Sequence, residues 1–541
     1  MASAKQPYRR RHRIYRRECD PSSQGPPLTI PSQGPDLHLG SPRPWYRLIA
    51  RPPRPAAASF LRPDPPVICS DRTTKTANSC PLTWENGLLK RPLEPDQKGA
   101  CQVGSCRSPG TIAVSFDDKH LVTNAGLILA ATLAEGLLLR ELFDEGVDLG
   151  DAPGAANVGD KAMTLVHSAL AGGAWIGDAD WLRAGTTGQV LGHRVAASST
   201  LGTFLRSFTW GTARQLDQVA GEALTRAWAA GAGPGPWPLT IDIDSTHCQT
   251  YGLAKQGAAA IGRDGTRGYH PLVASVAGTA DVLHSRLREG VAHSGRGAAN
   301  FLAEAVNRAR RAGATGTITI RADSAFHNHK NLAACQQQGV RCSITAKLTK
   351  LVRDAITHIP DHAWTPIPYW LDDGADVAET SYHPFGRKGR TMRLIVRRVR
   401  PTPGSQLALF CDYDYHPSIT DRDGAILELE ADHRRHAEVE NAIRDLKEGV
   451  GLGHLPSGKF AANAAWLTLT VIAHNLARWT SRIGLGEQLV TTKTLRMRYL
   501  TLPGRLTRSA RTLRLHLPSR WPWAERFGIA LDRLRCMPFP T

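Results

Sequence analysis

The spacing of apolar residues divides the chain into a helical stretch, a mixed stretch and a second helical stretch. Between about 110 and 235, apolar positions recur every three or four residues in 124–142, 160–171, 198–209 and 213–230, which predicts helices. Residues 231–238 (GAGPGPWP) then interrupt the chain and mark a boundary. From there the period changes. Leu239-Thr240-Ile241-Asp242-Ile243-Asp244 alternates as a strand does, and 268–277 with 281–288 predicts a hairpin turning on Gly278-Thr279-Ala280. A helix over 297–312, a strand over 316–322, a helix over 327–338 and a strand over 340–345 follow. Three meandering strands ahead of helix, strand, helix, strand predict an α/β sheet whose antiparallel part comes first. Residues 346–425 carry short strand-like runs, among them 391–399 and 407–411, and predict an inserted β subdomain; helices return at 426–447 and 462–480.

Residues 1–108 differ from all of this. Half of the 36 prolines precede residue 110 and periodicity is slight. Such a segment cannot bury enough apolar surface to offset its chain entropy, so a basic, disordered head is expected. The formal net charge of +19 points to a polyanionic partner. It is carried by the two ends: 18 Lys/Arg against 8 Asp/Glu in 1–107, and 12 against 3 in 481–541. The middle is near neutral, so any grip there depends on local patches. In the C-terminal part, Arg505, Arg508, Arg511, Arg514 and Arg520 are candidates for holding DNA, with a solvated basic face as the alternative.

The ten cysteines show no ladder of pairs. Cys101 and Cys106, with Cys80 upstream, lack the second close pair that zinc sites use, so unpaired thiols are expected. The arginines at 9–17 lead into Pro/Ser-rich sequence rather than an apolar leader. The most apolar run, Ala125 to Leu139, contains Glu135 and is too short for a bilayer. A cytoplasmic protein without a membrane partner is the expectation.

Three acids stand in chemically suggestive settings. Asp244 ends the first predicted strand in DIDST, Asp323 ends another in RADSAF, and Glu440 lies on a helix in HAEVENAIRDLKEG. Carboxylates at the carboxyl ends of neighbouring strands project into one cleft. Hard divalent cations prefer oxygen ligands, and two ions about 4 Å apart can serve both the attacking and the leaving oxygen in phosphoryl transfer. The alternative is ordinary: a strand-end Asp is more often a turn former or helix cap.

DIDST…YG…GYHPL, RADSAF and HAEVENAIRDLKEGVGLGHLP, in that order, resemble the core of insertion-sequence DDE transposases, most closely the insertion sequence 1380 family of the RNase H-like superfamily. The resemblance spans about 110 to 520. It implies an RNase H-like mixed-sheet core with an inserted β subdomain, preceded by a helical domain and the disordered head. The divisions are the head (1–108), a helical, DNA-binding domain (109–235), the first part of the core (236–345), the insertion (346–425), the second part with Glu440 (426–480) and a basic C-terminal region (481–541). The resemblance further implies Asp244, Asp323 and Glu440 as catalytic acids and ligands of two Mg²⁺ (or Mn²⁺) ions, with double-stranded DNA as partner and a homodimer formed on it. Asp242 is assigned to the other face of its strand and read as structural.

The family's third acid sits in a signature of Tyr, Arg, Glu and Lys. Here Glu440 and Lys447 match, but His433 stands at the Tyr position and His436 at the Arg position. A permanent forked charge is thereby replaced by a group that titrates near neutral pH. Lys447, His436 and His433 are the candidate DNA contacts, with Arg435 (or Arg434) standing in for the missing Arg. In relatives that cleave through a hairpin, aromatic residues of the insertion stack on a flipped base, which puts Trp364, Tyr369 and Trp370 forward; core packing is their alternative. Trp466 and Trp479 fall in an apolar helix and are expected in the core. A catalytically decayed or domesticated DNA-binding protein of the same fold is the competing reading.

Overall fold

A computed structural model describes residues 109–538 except 262–264, 369–373, 386–389, 402–403, 405, 407–411 and 488–489. The head with Cys80, Cys101 and Cys106, the run 407–411, and Tyr369 and Trp370 therefore lie outside the described residues. The strands of the main sheet, numbered in chain order, are β1 (Leu239–Ser245), β2 (Leu272–Val276), β3 (Val282–Arg286), β4 (Ile318–Ala322), β5 (Arg341–Thr345), β6 (Thr365–Pro366), β7 (Ala375–Tyr382), β8 (Met392–Val399) and β9 (Asp414–Thr420).

The order β3-β2-β1-β4-β5 forms the heart of this sheet. β2 runs antiparallel to β1 and β3, whereas β4 is parallel to both β1 and β5. This is the RNase H-like arrangement. The hairpin turns where the sequence indicates, with Gly278 and Ala280 both at positive φ (80° and 59°). Parallel neighbours need crossover helices, and Ala298–Arg311 and His329–Gln337 supply them. β2 and β4 are buried throughout and β1 at Leu239 and from Ile241 to Ile243, as strands covered on both faces must be, while Asp244 and Ser245 at its end are half-buried.

The insertion is β-rich, but its strands extend the same sheet. β9 pairs antiparallel with the outer edge of β5, and β8, β7 and β6 follow. The sheet thus reaches nine strands, with a small apolar cluster of Ile367, Ala375, Val377, Ile395 and Leu429 beneath the added part.

The helices before β1 include Val158–Ala171, Ser198–Arg206 and Trp210–Ala227. The apolar stretch 124–142 does not form one helix. It is divided into Ile128–Gly136 and Leu139–Gly146 by Leu138, which adopts a left-handed conformation (φ 53°). The helix Phe460–Trp479 is buried almost throughout, with Trp466 4% and Trp479 0% exposed, as expected of a helix apolar on every side. No described helix is long and apolar enough to cross a membrane.

The stretch 426–447 is helical throughout, as predicted, but its winding changes along the way. Ile426–Arg434 passes through a 3₁₀ turn at Arg435–Ala437 into Glu438–Arg444, then into a wider π turn at Asp445–Gly449. At that turn the buried Asp445 carboxylate accepts from the N–H and hydroxyl of Thr492 (2.9 and 2.8 Å) and pairs with Arg478.

Candidate active site

The parallel register of β1 and β4 pairs Asp242 with Arg321 and Ile243 with Ala322. Asp244 and Asp323 are the next residues on two adjacent strand ends. The main-chain N–H of Ser245 donates to Asp244 Oδ1 (2.6 Å) and that of Ala325 to Asp323 Oδ1 (3.0 Å). Each acid thus spends one oxygen on its own turn, and neither Oδ2 has a protein partner among the described residues. Asp323 caps the short helical turn Ser324–Phe326, so the ordinary reading of a strand-end Asp holds for it alongside any chemical role.

Glu440 is exposed on Glu438–Arg444. Burial raises the Asp244 carboxyl to about 6, and the charges of Asp323 and Glu440 push it the same way, against the Ser245 N–H and His436. The charges of Asp323 and Glu440, from distant stretches of the chain, thus both act on Asp244. Among the described residues no three His, Cys, Asp or Glu side chains converge closely enough to form a finished metal cage. The donor set is nonetheless all oxygen and mutually repelling, which fits a hard divalent cation.

A folded-state pKa above the unfolded value makes the charged Asp244 a cost to the cation-free fold. That cost is absent below about pH 4 and grows as pH rises toward 6, so stability falls across this window. Asp244→Asn is expected to remove the effect and stabilise the cation-free protein at pH 7 by about 1–2 kcal/mol. Melting curves of both proteins in chelator from pH 4 to 8 test this; a constant offset across the range would count against it.

Asp242 does not lie on the other face of β1. Residues two apart on a strand share a face, and His436 reaches both acids: its Nδ1 bonds Asp242 Oδ1 (2.8 Å), and its charge acts on Asp244. Asp242 is nevertheless fully engaged within the protein. Arg321, 0% exposed, donates to both of its oxygens (Nε to Oδ1, 2.7 Å; NH2 to Oδ2, 2.8 Å) and, through NH1, to the carbonyl and carboxylate of Asp432. Burial alone would raise the Asp242 pKa; the bonds from Arg321 and His436 outweigh it and hold the group ionised.

The other candidates divide. Lys447 lies at the loop after Asp244, where its Nζ donates to the His247 carbonyl (2.9 Å) and stays exposed. Arg435 is exposed and paired with Glu438 (2.9 Å). His433 is committed: its Nδ1 bonds the Ser343 hydroxyl (2.8 Å) and its Nε2 the Thr345 hydroxyl (3.0 Å), while burial lowers it to about 3 and keeps it neutral. Trp364 is half-buried against the core, with the Arg398 guanidinium 4.2 Å from its ring centre and Tyr415 beside it.

Two residues of this region escaped the sequence reading. Arg321 lies in the very motif that contains Asp323, two positions earlier on the strand, and that spacing was the available signal. His270, from GYHPL, bonds the Ala292 carbonyl through Nδ1 (2.6 Å) and the Ser245 hydroxyl through Nε2 (3.0 Å), bracing the turn after Asp244. Burial lowers it to about 4, so it acts as a neutral brace.

The sheet order, with acids at adjacent strand ends, defines an α/β protein of the RNase H-like class. The chain belongs to the transposase DDE domain group 1 family, whose model matches residues 106–539. Enzymes of that family are transposases that use divalent metal ions. Among solved structures, one is a cryo-EM structure of the piggyBac transposase synaptic complex with hairpin DNA. It is 12% identical, at a TM-score of 0.37, over 68% of this chain and 80% of that one. No curated protein matches the chain.

Proposed function

We propose that this protein is the transposase of an insertion sequence of the 1380 type, which binds the element's terminal inverted repeats and cuts and rejoins DNA by metal-dependent phosphoryl transfer. The observation that carries the reading is the placement of Asp244 and Asp323 at the adjacent ends of β1 and β4, with the charge of Glu440 acting on Asp244. These three would hold two Mg²⁺ or Mn²⁺ ions. Such ions supply Lewis-acid stabilisation to both the attacking and the leaving oxygen.

The protein's own groups prepare that chemistry. The N–H groups of Ser245 and Ala325 fix the two Asp carboxylates before substrate arrives. Lys447 offers its ammonium to a phosphate beside Asp244. His436, held through Nδ1 by Asp242, presents Nε2 to another. Arg435, exposed nearby, can add charge if DNA displaces Glu438. His433 is left out because both its nitrogens are used, and Trp364 because Arg398 covers its ring. The helical segment 109–235 would read the ends, and pairing two ends implies two copies on DNA, in the cytoplasm of the host cell.

The test incubates purified protein with Mg²⁺, a DNA fragment bearing the element's own ends, and a plasmid target. Cleaved ends joined to the plasmid, lost in chelator, are the expected result. DNA bound but never cut would identify a decayed, purely binding descendant, and cuts without joining would identify a nuclease.

A further inference from the structure

Between Glu487 and Glu525 the chain has eight Lys/Arg and no Asp or Glu. Its central part folds into a hairpin, β10 (Gly504–Ser509) and β11 (Thr512–His516), joined by the loop Ala510-Arg511. The short strand Leu121–Val122 pairs with Gly504 and Arg505 at its base, and beyond that the hairpin is a two-stranded ribbon. The ribbon's register separates two faces. Leu506 and Leu515 lie opposite one another and pack on Val122 and Ala125. The other face pairs Arg505 with His516, Thr507 with Arg514 and Ser509 with Thr512, and is polar throughout. Its basic side chains are exposed; Arg508 pairs with Leu513 on the leucine face, but beyond the packed base, where both are exposed, as is Arg511 in the loop. Arg505 is the one ribbon arginine with an acidic partner among the described residues, Asp118 at 3.5 Å.

Resting on the transposase reading, we infer that this ribbon is a groove-binding arm for duplex DNA, with Arg508, Arg511 and Arg514 contacting phosphates. The shape suits that partner. Two strands about 5 Å apart form a ribbon that the major groove, roughly 12 Å wide, admits. A leucine face anchors the base to the body, while the polar face and tip point outward. The ribbon carries no Phe, Tyr or Trp on which unpaired bases could stack, so a duplex fits it and a single strand does not. The arm belongs to the C-terminal region, apart in sequence from the helical segment proposed to read the ends, and gives the near-neutral core a second hold on the substrate.

The experiment measures binding of the full chain to a random-sequence duplex and to oligo-dT across a salt series. R508A/R511A/R514A is expected to weaken duplex binding at least about tenfold at low salt and to reduce the salt slope by roughly 2–3, since each phosphate contact contributes about 0.9. R508K/R511K/R514K, which keeps the charges, should retain the slope and so separates lost phosphate contact from misfolding. Equal slopes for wild type and the alanine variant overturn the arm while leaving the transposase reading intact. Preferential loss of oligo-dT binding also overturns it. A wild type that binds no duplex at any salt sinks both.

Discussion

Replacing Asp323 with Ala is expected to reduce Mg²⁺-dependent DNA cleavage by about a thousandfold or more, with duplex binding retained. A cation coordinated beside the reacting phosphate contributes several kcal/mol of charge stabilisation, and about 4 kcal/mol corresponds to a factor of a thousand. Asp323 stands one register step past the last pair of β1 and β4, beside Asp244, where the proposed site would hold its cation. The Ala variant also loses a helix cap, because Oδ1 accepts from the Ala325 N–H, and that alone costs about 1 kcal/mol. Asp323→Asn separates the two effects. Its amide oxygen can still cap the turn but brings no charge to a cation, so in chelator its melting temperature should not fall below wild type while its cleavage matches Ala. Cleavage by the Asn variant at the wild-type rate would remove Asp323 from the chemistry.

Much of this was legible before any coordinates. The change from a period of three or four to a period of two at Leu239 located the start of the sheet, and the small turn residues Gly278-Thr279-Ala280 located the hairpin. What the one-dimensional pattern could not carry was pairing between distant segments. Nothing in 391–399 says that it will join a sheet edge formed by 341–345, because a strand's alternation is the same whichever partner it finds. The changes of winding within 426–449 were hidden likewise: the π turn coincides with Asp445 being drawn to Arg478 and Thr492, partners 33 and 47 residues away. At the candidate site, strand-end position drew attention to Asp244 and Asp323, while Glu440, on a helix, was singled out only by the family resemblance. His433 did not, since its fate depends on Ser343 and Thr345 arriving opposite it.

Arg321→Met is expected to destabilise the fold by about 3–5 kcal/mol, the cost of leaving a buried ion pair half-made. The location gives this loss its wider interest. Arg321 comes from β4, two residues before Asp323; Asp242 comes from β1, two residues before Asp244; Asp432 and His436 come from the segment that leads to Glu440. One buried network therefore fastens together all three elements that carry the acids. Without the guanidinium, Asp242 keeps only His436 as a partner, and Asp432 keeps only Arg422. Because Asp242 is held ionised in the fold, its paired charge stabilises the protein at neutral pH and that contribution is lost as pH falls through its depressed pKa. In the Met variant the carboxylate can take up a proton more readily, so the stability gap between wild type and variant should be widest at neutral pH and narrow in acid. Arg321→Met combined with Asp242→Leu removes both charges of the bidentate pair and should recover most of the loss. Denaturant titrations of the three proteins at pH 7 and pH 4 decide the matter. A double variant no more stable than the single one would mean that the network contributes more than the pairing of its charges.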